Sequence, residues 1–230
     1  MSKGVKAFIT VAIVLIIDQT LKIWVKTHMS YGENIAIMGN WFNLHFIENE
    51  GMAFGMVFGG ENGKLILTLF RIFAVFFILF WLHRSIKHKA PAGLIICIAL
   101  ILAGAIGNII DSVIYGVIFN DNFAGAAQVF PKGGGYAPLL HGRVVDMLYF
   151  PLYQGFLPNW IPFMGGKYFV FFDPVFNIAD SSITIGVLLI MIFQKRFFKH
   201  YEQVKPAPPS FEPTASAPHT DSTASGENIV

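Results

Sequence analysis

The stretch AGLIICIALILAGAIGNIID at residues 92–111 has the length and composition of a membrane-spanning helix. It matches the ~20 apolar residues that a helix needs to cross a bilayer. Gly104, Asn108 and Asp111 interrupt it at spacings of four and three, which places them on one helix face. An acid near the bilayer centre costs at least ~2.5–3.5 kcal/mol, so this face is expected to point at protein or water.

Three more apolar segments accompany this one, which we place at 92–112; they lie at residues 7–25, 65–82 and 175–193. Hydrophobic residues make up 54% of the 230 residues and charged residues 13%, against about 25% charged in soluble domains. The sequence therefore predicts an all-α membrane protein with four transmembrane helices in a domain over 1–203. Pro, Ala, Ser and Thr dominate residues 204–230, which predicts a disordered cytoplasmic tail.

The distribution of Lys and Arg predicts the orientation of these helices. No small-x-small cleavage site follows the first segment, so we expect it to be retained as a helix and not removed as a signal peptide. With four spans, three basic clusters fall on one side, and positive charge marks the cytoplasmic side. Both termini are then cytoplasmic, and residues ~28–64 and ~113–174 form outer loops. The clusters are Lys3 and Lys6; Arg84, Lys87 and Lys89; and Lys195, Arg196 and Lys199.

The outer loops carry signals of their own. Phe42, Leu44 and Phe46 alternate with polar residues, which predicts a small extracytoplasmic β-sheet on the membrane surface. The second outer loop is long and rich in aromatic side chains, which settle at the lipid headgroups. We therefore expect part of it to contact membrane lipids.

Acids from distant parts of the chain are predicted to meet at one depth. Asp18 and Lys22 share a helix face and can pair. Asp18, Asp111 and Asp180 lie toward the outer half of their spans, and Asp146 approaches from the outer loop. Two carboxyls close together in a low dielectric share a proton, as in aspartic proteases. The spacings make such a pair possible, but they do not by themselves select its members.

Other functions remain open from the residues alone. Intramembrane acids also occur in small transporters that relay protons or cations. A metal-dependent hydrolase could use His45 or His141, although no His-Glu-x-x-His motif occurs. Cys97 is the single cysteine and Gly-x-Ser-x-Gly is absent, so a cysteine or serine hydrolase is disfavoured. A net charge of +2 suggests no nucleic-acid partner.

Five motifs in this order resemble those of the lipoprotein signal peptidase family, also called signal peptidase II. They are DQTLK at 18–22, NEGMAFG at 49–55, GAIGNIID at 104–111, GRVVD at 142–146 and FNIAD at 176–180. The resemblance spans about residues 8–195. It implies four helices, an outer β-cradle and an active site near the outer leaflet of the bacterial cytoplasmic (inner) membrane.

The resemblance also implies an activity and a set of site residues. The enzyme would cleave lipid-modified prolipoproteins before the diacylglyceryl cysteine, as a monomer and without metal or cofactor, using Asp146 and Asp180 as the catalytic pair. One departure is visible: Ser112 stands where many members have Arg after the third-helix Asp, and Arg143 is a candidate to replace that charge. The implied supporting residues are Asp18, Lys22, Asn49, Gly51, Gly104, Asn108, Asp111, Arg143, Asn177 and Ala179.

Overall fold

The computed structural model describes residues 1–39, 41–50 and 60–202, so Gly51 and the predicted tail at 204–230 lie outside the described residues. The helices are α1 (Lys3–His28), α2 (Gly60–Lys87), α3 (Ala92–Ile110), a π-helical turn (Asp111–Tyr115), α4 (Gly116–Ile118), α5 (Ile178–Ile192) and α6 (Gln194–Glu202). The strands are β1 (Asn34–Met38), β2 (Phe42–Asn49), β3 (Val144–Tyr149), β4 (Tyr153–Phe156), β5 (Tyr168–Phe171) and β6 (Val175–Phe176).

Within these residues, three helical segments are long and apolar enough to cross a membrane: Lys3–His28, Asn62–Lys87 and Ala92–Ile118. Long apolar helices are therefore present at the first three predicted spans. The fourth predicted span is helical over Ile178–Ile192 and is shorter. It begins late because the first residues of the expected segment form β6 and Asn177 caps the helix.

Helix α3 lies at the centre of the bundle, in contact with α1, α2 and α5. Gly104 permits the close approach of α5, because a Cβ there would collide with the Ala179 carbonyl and lie 2.5 Å from Ser182 Oγ. Gly107 does the same for α1, since its Cβ would lie 2.7 Å from Asp18 Oδ2. Small residues at helix crossings are typical of membrane bundles.

A four-stranded antiparallel sheet in the order β1-β2-β3-β6 lies next to the helices. It confirms the small sheet predicted from the alternation at 42–46. Half of its strands come from the second outer loop and the residues just after it, however, because β3 pairs with β2 and β6 pairs with β3. The sheet therefore brings both outer loops together.

Two apolar clusters lie at different heights along the helices. One packs around Leu94, Ile98 and Leu102 of α3, and the other around Tyr115 with Phe46 of β2. Asp18 and Lys22 of α1 and Asn108 of α3 are buried and lie between these clusters in sequence, so a polar layer separates two apolar ones. Burial of polar groups at this depth requires partners for each of them.

A second, two-stranded sheet of β4 and β5 follows β3. Its aromatic side chains are largely exposed, and Phe163 between the strands is 96% exposed. This composition agrees with the predicted contact with lipid headgroups, which stays a prediction.

Candidate active site

Asp180 is held at the start of α5 by the geometry of the helix end. The Asn177 side chain accepts a hydrogen bond from the Asp180 backbone N–H at 2.8 Å. Asp180 Oδ2 accepts in return from the Asn177 backbone N–H at 3.3 Å, which completes a capping box. The carboxylate therefore lies at the positive end of the helix dipole.

Asp146 lies in the middle of β3 and is 2% exposed. Its backbone is opposite Ile47 of β2, so the sheet register decides where the carboxyl points. Oδ1 accepts from Asn177 Nδ2 at 2.6 Å, and Oδ2 accepts from Asn49 Nδ2 at 3.3 Å. Asn177 therefore contacts both candidate catalytic acids.

A second amide completes the connection between the two acids. Asn108 Nδ2 donates to Asp180 Oδ1 at 2.8 Å, and Asn108 Oδ1 accepts from Asn177 Nδ2 at 3.2 Å. Two neighbouring amides thus join the two carboxyls in one hydrogen-bonded network. The network therefore brings together residues from β3, α3 and α5, which are far apart in sequence.

The protonation of Asp146 reflects this environment. Burial, and secondly the negative charge of Asp180, raise the pKa of the Asp146 carboxyl to about 7. Hydrogen bonds from Asn49 and Asn177 and the charge of Lys22 oppose the shift. A carboxyl with a pKa near neutrality can both hold and release a proton at physiological pH.

A buried ion triad of Lys22, Asp18 and Asp111 adjoins the two candidate catalytic acids. Lys22 Nζ is 3.0 Å from Asp18 Oδ2 and 2.8 Å from Asp111 Oδ2, and it donates to Asn108 Oδ1 at 2.9 Å. All three charged side chains are at most 1% exposed. The pairing predicted for the first helix is confirmed, and the triad fixes the amide that holds Asp180.

The acids of the triad also bind the backbone beside each candidate catalytic residue. Asp18 Oδ1 accepts from the Ala179 N–H at 2.9 Å, and Asp111 Oδ2 accepts from the Val145 N–H at 3.2 Å. Each bond lies one residue before a candidate catalytic acid. Asp18 and Asp111 therefore position Asp180 and Asp146 through the main chain.

The π-helical turn links Asp111 to the outer loop. The Ser112 carbonyl accepts from Gly142 N–H at 2.9 Å, and the Val113 carbonyl accepts from Leu140 N–H at 3.0 Å. A Cβ on Gly142 would collide with the Asp111 carbonyl, so glycine permits this approach. π-Helical turns often occur at functional sites, and this one orients the start of β3.

A second buried charge cluster contains Arg143. Its Nη1 lies 2.8 Å from Glu48 Oε2, and its guanidinium stacks 4.7 Å above the Tyr136 ring. The other carboxylate oxygen of Glu48 pairs with Lys26 Nζ. Lys26 also donates to Asn122 Oδ1 at 2.8 Å, so the cluster joins α1 and β2 to the outer loop.

Arg71 contacts Ser112, whereas Arg143 pairs with Glu48, Glu50 and Asp121. Arg71 Nη1 lies 3.5 Å from Ser112 Oγ. Among the described residues, the cationic side chain that contacts Ser112, where many family members have Arg, is therefore that of Arg71 in α2.

Several site residues were not predicted from the sequence. Gln19 Nε2 donates to Asp18 at 3.1 Å and to Asp111 at 3.0 Å, and Gln19 Oε1 accepts from Tyr115 at 3.1 Å. The position of Gln19 next to Asp18 in the first motif could have indicated its role. The position of Lys26 could have done so too, because it follows Lys22 by one helical turn and shares its face.

The residues that the structure describes contain no group of three or more His, Cys, Asp or Glu side chains able to hold a metal ion. His45 packs against Tyr149 with ring centroids 5.6 Å apart. Cys97 is a buried free thiol in the apolar part of α3.

Comparison with known proteins identifies relatives over most of the chain. The family model described as Signal peptidase (SPase) II matches residues 10–196. A lipoprotein signal peptidase of Porphyromonas gingivalis is 50% identical over 187 residues, which is 81% of both chains. A lipoprotein signal peptidase of Amoebophilus asiaticus is 40% identical over 196 residues, covering 84% of this chain and 79% of the relative.

A solved structure has a similar fold. It is described as "Bacterial membrane enzyme structure by the in meso method at 2.3 A resolution" and has a TM-score of 0.53 at 25% identity. The match covers 88% of this chain and 94% of that chain. Relatives that are peptidases by name do not favour the transporter alternative.

Proposed function

Because the chain belongs to the signal peptidase II family, we propose that it is the aspartyl endopeptidase that removes signal peptides from diacylglyceryl-modified prolipoproteins. Cleavage takes place before the lipidated cysteine, and Asp146 and Asp180 are the catalytic pair. One observation carries the assignment of the pair: the amides of Asn108 and Asn177 join the two carboxyls in one network.

The reaction requires one carboxyl to be neutral and the other ionised. Asp146 holds the shared proton at rest, since burial and Asp180 raise its pKa to about 7. We assign the role of base to Asp180, whose oxygens accept from the Asn108 amide and the Asn177 backbone N–H.

Proton transfers then follow from this arrangement. The ionised carboxylate of Asp180 takes a proton from water as the water oxygen adds to the scissile carbonyl carbon, and the Asp146 carboxyl donates its proton to the carbonyl oxygen. When the tetrahedral intermediate collapses, Asp180 gives its proton to the leaving amine and Asp146 regains one from the intermediate hydroxyl. The carboxyls therefore return to their starting states.

The supporting residues act on this pair in different ways. Lys22 positions Asn108, while Asp18 and Asp111 position the backbone before each acid. Asn49 holds the second oxygen of Asp146, and Gly104 allows α5 to approach α3. Arg143 stabilises the start of β3 through Glu48. Gly51, outside the described residues, keeps its proposed supporting role.

The topology proposed from charge has α5 as a fourth span, both termini in the cytoplasm and the site near the outer leaflet. The acids and the sheet lie at the same end of the helices, as this topology requires, because Asp146 is a residue of β3. Basic residues lie in the last turn of α2, at the other end. We propose that the enzyme works as a monomer in the bacterial cytoplasmic membrane, in contact with its lipids and without metal or cofactor.

The test is cleavage of a diacylated prolipoprotein by purified wild type, Asp146→Asn, Asp180→Asn and Asp173→Asn. Asn keeps the size of each side chain but cannot exchange the proton, so the first two variants should lose at least about a hundredfold in rate. Asp173 is an exposed acid of the same outer loop and serves as the matched control. Full activity in either site variant would refute the assignment of Asp146 and Asp180 as the catalytic pair. Equal cleavage of unlipidated substrate by wild type would refute the proposed specificity for lipid-modified substrates.

A further inference from the structure

Helix α2 carries a polar stripe on an otherwise apolar surface. Lys64, Thr68 and Arg71 follow at spacings of four and three, so they share one face. Lys64 Nζ donates to the Glu50 carbonyl at 2.6 Å, and Thr68 Oγ1 donates to the Leu140 carbonyl at 3.0 Å. The stripe therefore faces the site, whereas exposed rings cover other faces of α2, including Phe70, Phe73, Phe76, Phe77 and Phe80.

Arg71 is the member of this stripe that is linked to the catalytic network through Ser112. Its Nη1 lies 3.5 Å from Ser112 Oγ, which itself donates to the Asn108 carbonyl at 3.0 Å. Asn108 is the residue whose amide binds Asp180. Among the described residues, the acids whose charges act on the guanidinium are Asp180, Asp146 and Asp111.

Other cations near the pair form ion pairs with acids outside it, although the charge of Lys22 also acts on Asp146. Lys22 forms ion pairs with Asp18 and Asp111. Arg143 pairs with Glu48. The guanidinium of Arg71 differs in one respect: among the described acids whose charges act on it are both candidate catalytic acids. An intramembrane cation is costly unless it has such a role.

We propose that Arg71, seated on Ser112, is a positioning residue that keeps one carboxyl of the catalytic pair ionised. Burial of two carboxyls at one site favours protonation of both, which would remove the base that activates water. A fixed positive charge beside them favours the state with one proton and one negative charge. This inference rests on the proposed peptidase function. It identifies Arg71 as the group that controls how many protons the catalytic pair holds.

The proposal makes a specific statement about pH dependence. Removal of a nearby cation raises the pKa of a carboxyl, so the acidic limb of the pH–rate profile should move to higher pH in Arg71→Met. A shift of about one pH unit corresponds to about a tenfold loss of rate below the limb and little loss above it. The charged groups around the pair that stay constant in this comparison are Asp18, Lys22, Glu50, Lys64, Asp111 and Arg143.

The experiment measures kcat and KM between pH 4 and 9 on a diacylated prolipoprotein for wild type, Arg71→Met, Arg71→Lys and Ser112→Ala. Arg84→Met is the matched control, since Arg84 is an exposed arginine in the last turn of the same helix. Arg71→Met should shift the limb upward with KM within about twofold. Arg71→Lys should shift it less, Ser112→Ala should shift it in the same direction, and Arg84→Met should match wild type.

Other outcomes overturn the proposal. If Arg71→Met lowers the rate equally at every pH, its role is structural, and if the limb does not move, its charge is not used. If Arg71→Met fails to insert into the membrane, the pH–rate profiles of Ser112→Ala and Arg71→Lys test the proposal instead. An acidic limb that stays in place in both variants rejects it. If wild type does not cleave the substrate, the proposed peptidase function is wrong. If wild type cleaves and the Arg71 variants keep the same pH profile, only the role proposed for Arg71 is wrong.

Discussion

Replacing Lys22 by Met should be among the most destabilising single changes in the helices. Met preserves most of the length and volume of the side chain but removes its charge. Lys22 has two ion-pair contacts at 3.0 and 2.8 Å and one hydrogen bond at 2.9 Å, with its side chain fully buried. The substitution leaves Asp18 and Asp111 buried together without their shared cation.

The size of the effect follows from what remains around the two acids. Removing one partner of a buried ion pair costs about 3–5 kcal/mol, because the other charge stays in a low dielectric. Asp18 and Asp111 keep donors from Gln19, Ala179 and Val145, which limits the loss. We therefore expect a loss of about 3–5 kcal/mol for Lys22→Met. Adding Asp111→Asn should recover about 1–3 kcal/mol, since the two sites are in contact.

The measurement is unfolding of the purified protein by SDS in mixed micelles, followed by far-UV circular dichroism. Lys6→Met is the control, because Lys6 is an exposed lysine of the same helix and should change stability by less than about 0.5 kcal/mol. A loss under about 1 kcal/mol in Lys22→Met would refute the reasoning. So would a double variant whose loss is the plain sum of the two single losses.

Two further predictions concern packing and pH. Gly104→Ala should cost about 1–3 kcal/mol and lower activity, because the new methyl meets the Ala179 carbonyl and Ser182 of α5, whereas Gly4→Ala, with open space around its Cβ, should be neutral or slightly stabilising in the same assay. The stability of wild type should fall as pH rises from about 4 to about 7, by up to about 1.4 kcal/mol per pH unit, and Asp146→Asn should flatten this slope. The sign follows because the pKa of Asp146 is raised from 3.8 to about 7, so the folded state binds the extra proton and loses that advantage as the carboxyl ionises. Equal slopes in wild type and Asp146→Asn would contradict this assignment.

The features that the sequence predicts correctly depend on local periodicity. The apolar run at 92–112 agrees with α3 and its π-helical turn, since length and hydropathy define a span. The shared face of Gly104, Asn108 and Asp111 is correct because helical spacing places them together. The pairing of Asp18 with Lys22 is local in the same sense.

What the sequence does not reveal depends on contacts between distant segments. Residues 144–149 are a short, mainly apolar run that fits a strand or a buried helix equally well. They become β3 because they pair with β2, about a hundred residues earlier. The direction of Arg71 is hidden for a related reason. The spacing of Lys64, Thr68 and Arg71 defines a polar face of the helix, but which groups that face meets depends on the packing of α2 against Ser112 and Leu140.

The pairing of β3 with β6 has a consequence for how this protein can vary in length. Leu148 lies opposite Phe176 and Tyr149 opposite Val175, so residues 150–174 leave the sheet and return to it at adjacent positions. The span between Asp146 and Asp180 is therefore set by two short strands and a helix cap, not by the sequence between them. Since the entropy of closing a loop grows only slowly with its length, this excursion can accept an inserted epitope tag or a deletion near Phe163 while the two acids keep their separation.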